Sequence, residues 1–171
     1  IALYIVTLTV HILLVLNATI FNLTPDEYSV TAIAAYFNGY DWSSTVSTGG
    51  YYGYFQSLFY IPVFSITDDP YMQYKLMLGI NGILISFVPV IVYYLSRKWF
   101  DVGRIAAVIF SIISGWYPCY ILLTKYTWNE TMCGLLPWVF VLLMCCCKDS
   151  RSAVKKQTLS VLAGLTLVAG Y

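Results

Sequence analysis

Apolar and polar positions in this chain fall in long blocks rather than in a short alternation. Residues 1–16 are almost wholly apolar, and the run extends to about residue 21. Residues 17–74 are aromatic and polar and contain neither Lys nor Arg. Apolar blocks then recur at 76–95, 105–123 and 131–147, and a last one begins near 159. A bilayer core of about 30 Å takes roughly 20 helical residues to cross. Blocks of that length with charges held between them predict an all-α integral membrane chain with about five transmembrane helices. The chain starts inside one apolar block and stops inside another. Residues 1–171 are therefore expected to form one transmembrane domain that is part of a longer polytopic protein. The opening run has no basic n-region and no small-residue cleavage site, so it does not read as a removed signal peptide.

Residues 17–74 are too many for a plain turn, because connections beyond about 15 residues usually carry structure or function. Thr24 suits a helix N-cap, Pro25 the first helical position, and Asp26 and Glu27 the first turn. Val30, Ile33, Ala34 and Phe37 follow at helical spacing. This predicts an amphipathic helix over 25–37 lying along the membrane interface, ended by Asn38-Gly39. Residues 55–64 are apolar apart from Gln56 and Ser57, and contain Pro62. They are too few to span, so they predict a second interfacial helix, with its tyrosines at headgroup level. Thr67-Asp68-Asp69-Pro70 caps the next helix. Within that helix Gly79 and Gly82 offer close-packing positions and Pro89 a kink. The helix of the third block is expected to stop near Gly115.

Composition supports the same class. The chain is 60% hydrophobic and 10% charged, against roughly 25% charged in soluble domains. So few charges cannot cover a soluble globule with polar surface. The links at 96–104 and 148–158 hold seven of the nine Lys and Arg, whereas residues 17–74 hold five of the eight acids. The positive-inside bias places both links in the cytoplasm and the 17–74 loop outside. No basic stripe points to nucleic acid. The five cysteines have no zinc-site spacing, and they read as buried or lipid-facing thiols. The triplet Cys145-Cys146-Cys147 is also compatible with palmitoylation. Three Asn-x-Thr triplets fall on the outer side, at Asn17, Asn22 and Asn129; no glycosylation is expected, and a bacterial plasma membrane is the expected setting.

Candidate chemistry sits in the first loop. Asp26 and Glu27 are adjacent at a helix start, where the dipole favours carboxylates. Neighbouring acids also compete, which separates their pKa values and leaves one suited to general-base work. Equally, both acids suit a purely structural helix start. His11 lies within the first apolar block, where an ionisable residue is either functional or packed against a neighbouring helix. A transporter subunit and a non-catalytic membrane scaffold are the competing classes. Midplane charges are scarce and no repeat relates the two halves, which argues against transport. A scaffold predicts that Asp26→Asn changes nothing chemical.

The apolar first segment, the Asp26-Glu27 pair just outside it, the stretch Gly50-Tyr51-Tyr52-Gly53-Tyr54-Phe55-Gln56-Ser57-Leu58 before Pro62, and Trp128-Asn129-Glu130-Thr131 together resemble the GT-C glycosyltransferases. Within that superfamily the chain is most similar to the dolichyl-phosphate-mannose protein mannosyltransferases and their bacterial relatives, including the aminoarabinose lipid A transferases. The resemblance covers nearly all 171 residues, as the N-terminal part of a longer chain. It implies inverting transfer of a sugar from a polyprenyl-phosphate donor to a protein, lipid or glycan acceptor at the outer face. The first-loop acid of the family maps onto Asp26, with Glu27 as its catalytic partner. Lys125 becomes a cation near the leaving phosphate. Glu130 becomes a second acid or the structural partner of Lys125. Tyr51, Tyr52 and Tyr54 would stack on a sugar or line an acceptor groove, although interfacial anchoring explains them as well. Some members bind a divalent metal near these acids; no set of ligands here requires one. The sequence departs from the family in having almost no intramembrane charge and no wide soluble C-terminal domain.

Overall fold

The computed structural model describes residues 1–18, 24–46 and 52–169. All regular structure among them is helical. In chain order the elements are α1 (Ala2–Leu16), α2 (Pro25–Phe37), α3 (Ser43–Val46), α4 (Tyr54–Ile66), α5 (Pro70–Ile85), α6 (Phe87–Lys98), α7 (Arg104–Gly115), α8 (Pro118–Leu123), α9 (Glu130–Asp149) and α10 (Ala153–Val168).

Two runs are long and apolar enough to cross a membrane. One is Pro70–Lys98, 29 residues, in which α5 and α6 join end to end; the other is α9, with 20 residues. At 1.5 Å per residue these reach about 43 and 30 Å. The apolar helices α1, α4 and α7 have 15, 13 and 12 residues, short of a full crossing by themselves. The first long run starts six residues before the apolar block at 76, because Asp69 caps it through the Tyr71 N–H (3.1 Å) and Pro70 takes the first position.

The expected kink at Pro89 appears three residues earlier. Pro89 has no N–H to return to the Ile85 carbonyl, one turn before it, and the helix breaks there at Ser86. The Ser86 hydroxyl donates back to the Gly82 carbonyl at 2.6 Å. Pro89 also faces α7: a Cβ on Gly115 would lie 2.9 Å from Pro89 Cγ, so α6 and α7 meet almost backbone to side chain. Gly82 does the same for α1, since a Cβ there would lie 2.9 Å from His11 Cβ. Gly79, expected to act likewise, has open space where its Cβ would be.

The two long runs lie parallel. At one end Asn81 of α5 donates to the Tyr126 carbonyl just ahead of α9. At the other, Lys98 pairs with Asp149 at 3.0 Å, and Lys148 sits 5.1 Å from the Trp99 ring centroid. Helix α1 runs antiparallel to α5, with Tyr4 near Ile83 and Phe87 and Leu16 near Lys75. The basic links therefore gather at one end of the bundle, and α2 and the loop before α9 at the other.

Helix α2 has the predicted bounds but not the predicted one-sided burial. Eight of its thirteen residues are buried, rather than one apolar stripe. Small residues allow neighbours to close in on several sides. Ser29 and Thr31 satisfy their hydroxyls on the carbonyls of Pro25 and Glu27 (3.2 and 2.7 Å). Val30, Ala34 and Ala35 pack with Tyr60, Val63 and Phe64 of α4 and with Met77 of α5. The Ser57 hydroxyl ties α4 to the Val30 carbonyl at 2.6 Å. By contrast α7 exposes Ile105, Ile109, Phe110 and Ile113, and α10 exposes Val161, Leu165 and Val168. Soluble monomers rarely expose apolar faces of that extent.

Candidate functional site

The site is built on the N-terminus of α2. Thr24 caps the helix, and Glu27, at the third position, returns its carboxyl to the Thr24 N–H at 3.0 Å (Oε2). Its other oxygen accepts from the Thr127 N–H (2.8 Å), the Thr127 hydroxyl (3.1 Å) and the Tyr74 hydroxyl (3.2 Å). Glu27 is fully buried. All four contacts are donors, the arrangement that an acceptor-only carboxylate satisfies. Glu27, expected to share the chemistry of Asp26, is thus enclosed and occupied in joining α2 to α5 and to the loop at 124–129.

That loop is fastened from several sides. Thr124 Oγ1 meets His11 Nδ1 at 3.0 Å, the packing role for His11. The Lys125 carbonyl accepts from the Tyr74 hydroxyl at 3.1 Å. The Tyr126 carbonyl accepts from Asn81 Nδ2 at 2.8 Å. Trp128 Nε1 donates to Thr24 Oγ1 at 2.8 Å, and its ring stacks on Tyr126 with centroids 4.3 Å apart. Below it a buried polar chain crosses from α4 to α9. Gln56 Nε2 donates to the Tyr60 hydroxyl, which donates to Asn81 Oδ1 at 2.6 Å. The Met132 N–H reaches Gln56 Oε1 at 3.4 Å. Buried polar groups cost free energy unless satisfied, and here each joins separate helices.

On this base the accessible chemistry collects around Asp26. Asp26 is exposed and forms no hydrogen bond or ion pair among the described residues. Tyr52 is half-buried beside it. Burial first, and then the charges of Asp26, Glu130 and Glu27, push its hydroxyl up to about 12. Asp26, Glu27 and Glu130 therefore share one neighbourhood, with Tyr52 among them. Gly53 makes that approach possible. It adopts φ 70°, and a Cβ on it would lie 3.0 Å from both Asn129 Cβ and Val30 Cγ2. Glu130 opens α9, and its Oε2 is buried without a hydrogen-bond partner.

The other expected residues are placed differently. Lys125 is exposed; it is held at the site through its backbone and forms no ion pair with Glu130. Tyr54 is exposed on α4. Tyr51 lies outside the described residues. Among the described residues no three His, Cys, Asp or Glu gather in a way that would hold a metal ion. A cavity of about 80 Å³ lies behind Tyr74, lined by Tyr28, Trp42, Phe64 and Gln73 among others. The sequence reading missed Tyr74, Thr127 and Asn81, and it quoted Trp128 only within a motif, not for its bond to Thr24. Asn81, a carboxamide inside an apolar block, is the one that carried a signal, since polar residues there seldom lack a partner.

No known family model, curated protein or solved structure matches the chain.

Proposed function

We propose that this chain belongs to a membrane enzyme that transfers a sugar, with inversion, from a polyprenyl-phosphate donor to an acceptor at the outer face of a bacterial plasma membrane. One observation carries the reading: Asp26 is an exposed carboxylate at the polar end of an apolar helical bundle, near enough that its charge and that of Glu130 both act on Tyr52. In-line displacement needs a base near the incoming hydroxyl and donors near the departing phosphate. Asp26 takes the acceptor's proton. Glu27 acts as a positioning residue, holding the helix start on which Asp26 sits. Tyr52 stays protonated and donates to a sugar hydroxyl. Lys125, exposed at the same end, approaches the donor phosphate. Glu130 orients the acceptor. The apolar helices, crossing about five times, hold this end at the membrane surface within reach of a lipid-borne donor.

The test follows sugar release from a panel of radiolabelled polyprenyl-phosphate sugars in membranes otherwise lacking the protein. The Asp26→Asn variant, at matched protein level, is expected to lose on the order of 10²–10⁴-fold in rate. Wild-type turnover that survives in the variant removes Asp26 from the mechanism. No turnover with any donor overturns the reading.

A further inference from the structure

Helices α1, α4 and α5 enclose an open apolar groove of about 530 Å³ away from the Asp26 site. This is several times the ~150 Å³ apolar cavity that takes up benzene in another protein. Its floor is one face of α5: Met72, Lys75, Leu76, Gly79, Ile80 and Ile83. From Met72 to Ile83 is eleven helical steps, or about 16 Å. That is close to half of a bilayer core of about 30 Å, the depth of one leaflet. Lys75 is the one charged residue in the lining, and it stands toward the end that carries α2. It makes no ion pair among the described residues. Its amine rests 3.4 Å from the Leu16 carbonyl and 4.6 Å from the Tyr71 ring centroid. At mid-groove, Gly79 leaves the space above α5 unfilled, with no atom within 4 Å of where its Cβ would stand.

We propose that this groove binds one anionic phospholipid from the leaflet on the α2 side, with an acyl chain over Gly79 and the phosphate on Lys75. The depth selects the occupant. A leaflet-long chain ends where the groove ends, whereas a polyprenyl chain of many isoprene units overruns it. The charge selects the headgroup, because an uncompensated ammonium at the membrane surface favours a phosphate without a balancing cation. The site rests on the membrane setting of the protein and not on its catalytic reading.

The test uses the full chain in nanodiscs of equal phosphatidylglycerol and phosphatidylcholine, extracted into detergent and examined by native mass spectrometry. Carbonate washing of the source membranes first establishes that the chain is integral. The wild type is expected to retain a stoichiometric phosphatidylglycerol. Gly79→Leu, which fills the groove from open space, is expected to lose it. Lys75→Gln is expected to keep a lipid while its preference for phosphatidylglycerol falls about fivefold, the weight of one Lys near a surface phosphate. This second variant reads the same site should Gly79→Leu fail to fold. Retention unchanged in both variants overturns the proposal, as does a polyprenyl phosphate as the retained lipid. Release of the chain by carbonate overturns the membrane setting with it, and is told apart from a failed groove by that step alone.

Discussion

Asp26 and Glu27 are chemically near twins on adjacent positions, and the fold gives them opposite duties. Glu27 points inward and is covered; Asp26 points out and is accessible. Successive residues on a helix lie about 100° apart, so a helix start with one side against the bundle can divide such a pair, and here it does. Removing the Glu27 carboxyl strands the Thr24 N–H and the N–H and hydroxyl of Thr127, while Tyr74 keeps the Lys125 carbonyl, and each buried unmet donor costs about 1–3 kcal/mol. Glu27→Ala is therefore expected to lower stability by at least about 3 kcal/mol, measured by denaturant unfolding in micelles. Asp26→Asn should change stability little. It should instead move Tyr52. Burial is the larger cause of that raised hydroxyl and will persist, but losing the Asp26 charge removes part of the penalty on the phenolate. The Tyr52 resonance in Cζ-labelled protein is expected to titrate at lower pH in Asp26→Asn than in the wild type. An unchanged midpoint would separate the two residues.

At the scale of elements, what was legible in the sequence is what local rules decide. The bounds of α2 follow from Thr24, Pro25 and Asn38, all within one turn of the ends they set. The end of α7 at Gly115 and the short α4 were readable for the same reason. Burial of α2 was not, because the α4 and α5 side chains that cover it come from well over twenty residues away. The four-residue α3 left no periodic trace. The candidate site divides in the same way. Asp26 could be picked out from its neighbours, but the capture of Glu27 depends on Tyr74 and Thr127, 47 and 100 residues onward. Glycine pairs were half legible: composition marks both Gly79 and Gly82, and only tertiary packing tells which one touches a helix. Gly82→Ala pushes a methyl against His11, and overpacking of this kind costs about 1–3 kcal/mol. Gly79→Ala meets nothing and gains helix propensity, up to about 1 kcal/mol. Thermal unfolding of the two variants should therefore shift in opposite directions.

For the whole molecule, the ends of the parallel runs define a polar axis, with acids and tyrosines at one end and the basic links at the other. The Lys98–Asp149 pair marks the basic end but holds little of the bundle together. Both side chains are nearly half exposed, and such pairs are worth about 0–1 kcal/mol. Asp149→Asn is expected to leave the unfolding midpoint nearly unchanged. Orientation itself is open to a direct test. In a cysteine-free background, Asp68→Cys should react with a membrane-impermeant maleimide from outside intact cells. Asp101→Cys should react only after permeabilisation. The reverse pattern would invert the topology and place the Asp26 end in the cytoplasm.

The loop at 124–129 also sets a schedule. Chains are made from the N-terminus at about 5–20 residues per second. Thr127, which closes the cage around Glu27, is made a hundred residues after it. Until it arrives, α2 holds a carboxyl that the bundle cannot yet enclose, and Trp128 is not there to reach Thr24. The Asp26 end of the molecule, begun early, is thus closed only once the loop at 124–129 has been made. Nascent chains arrested just before Thr124 should leave α2 open to protease, and those arrested well past α9 should protect it.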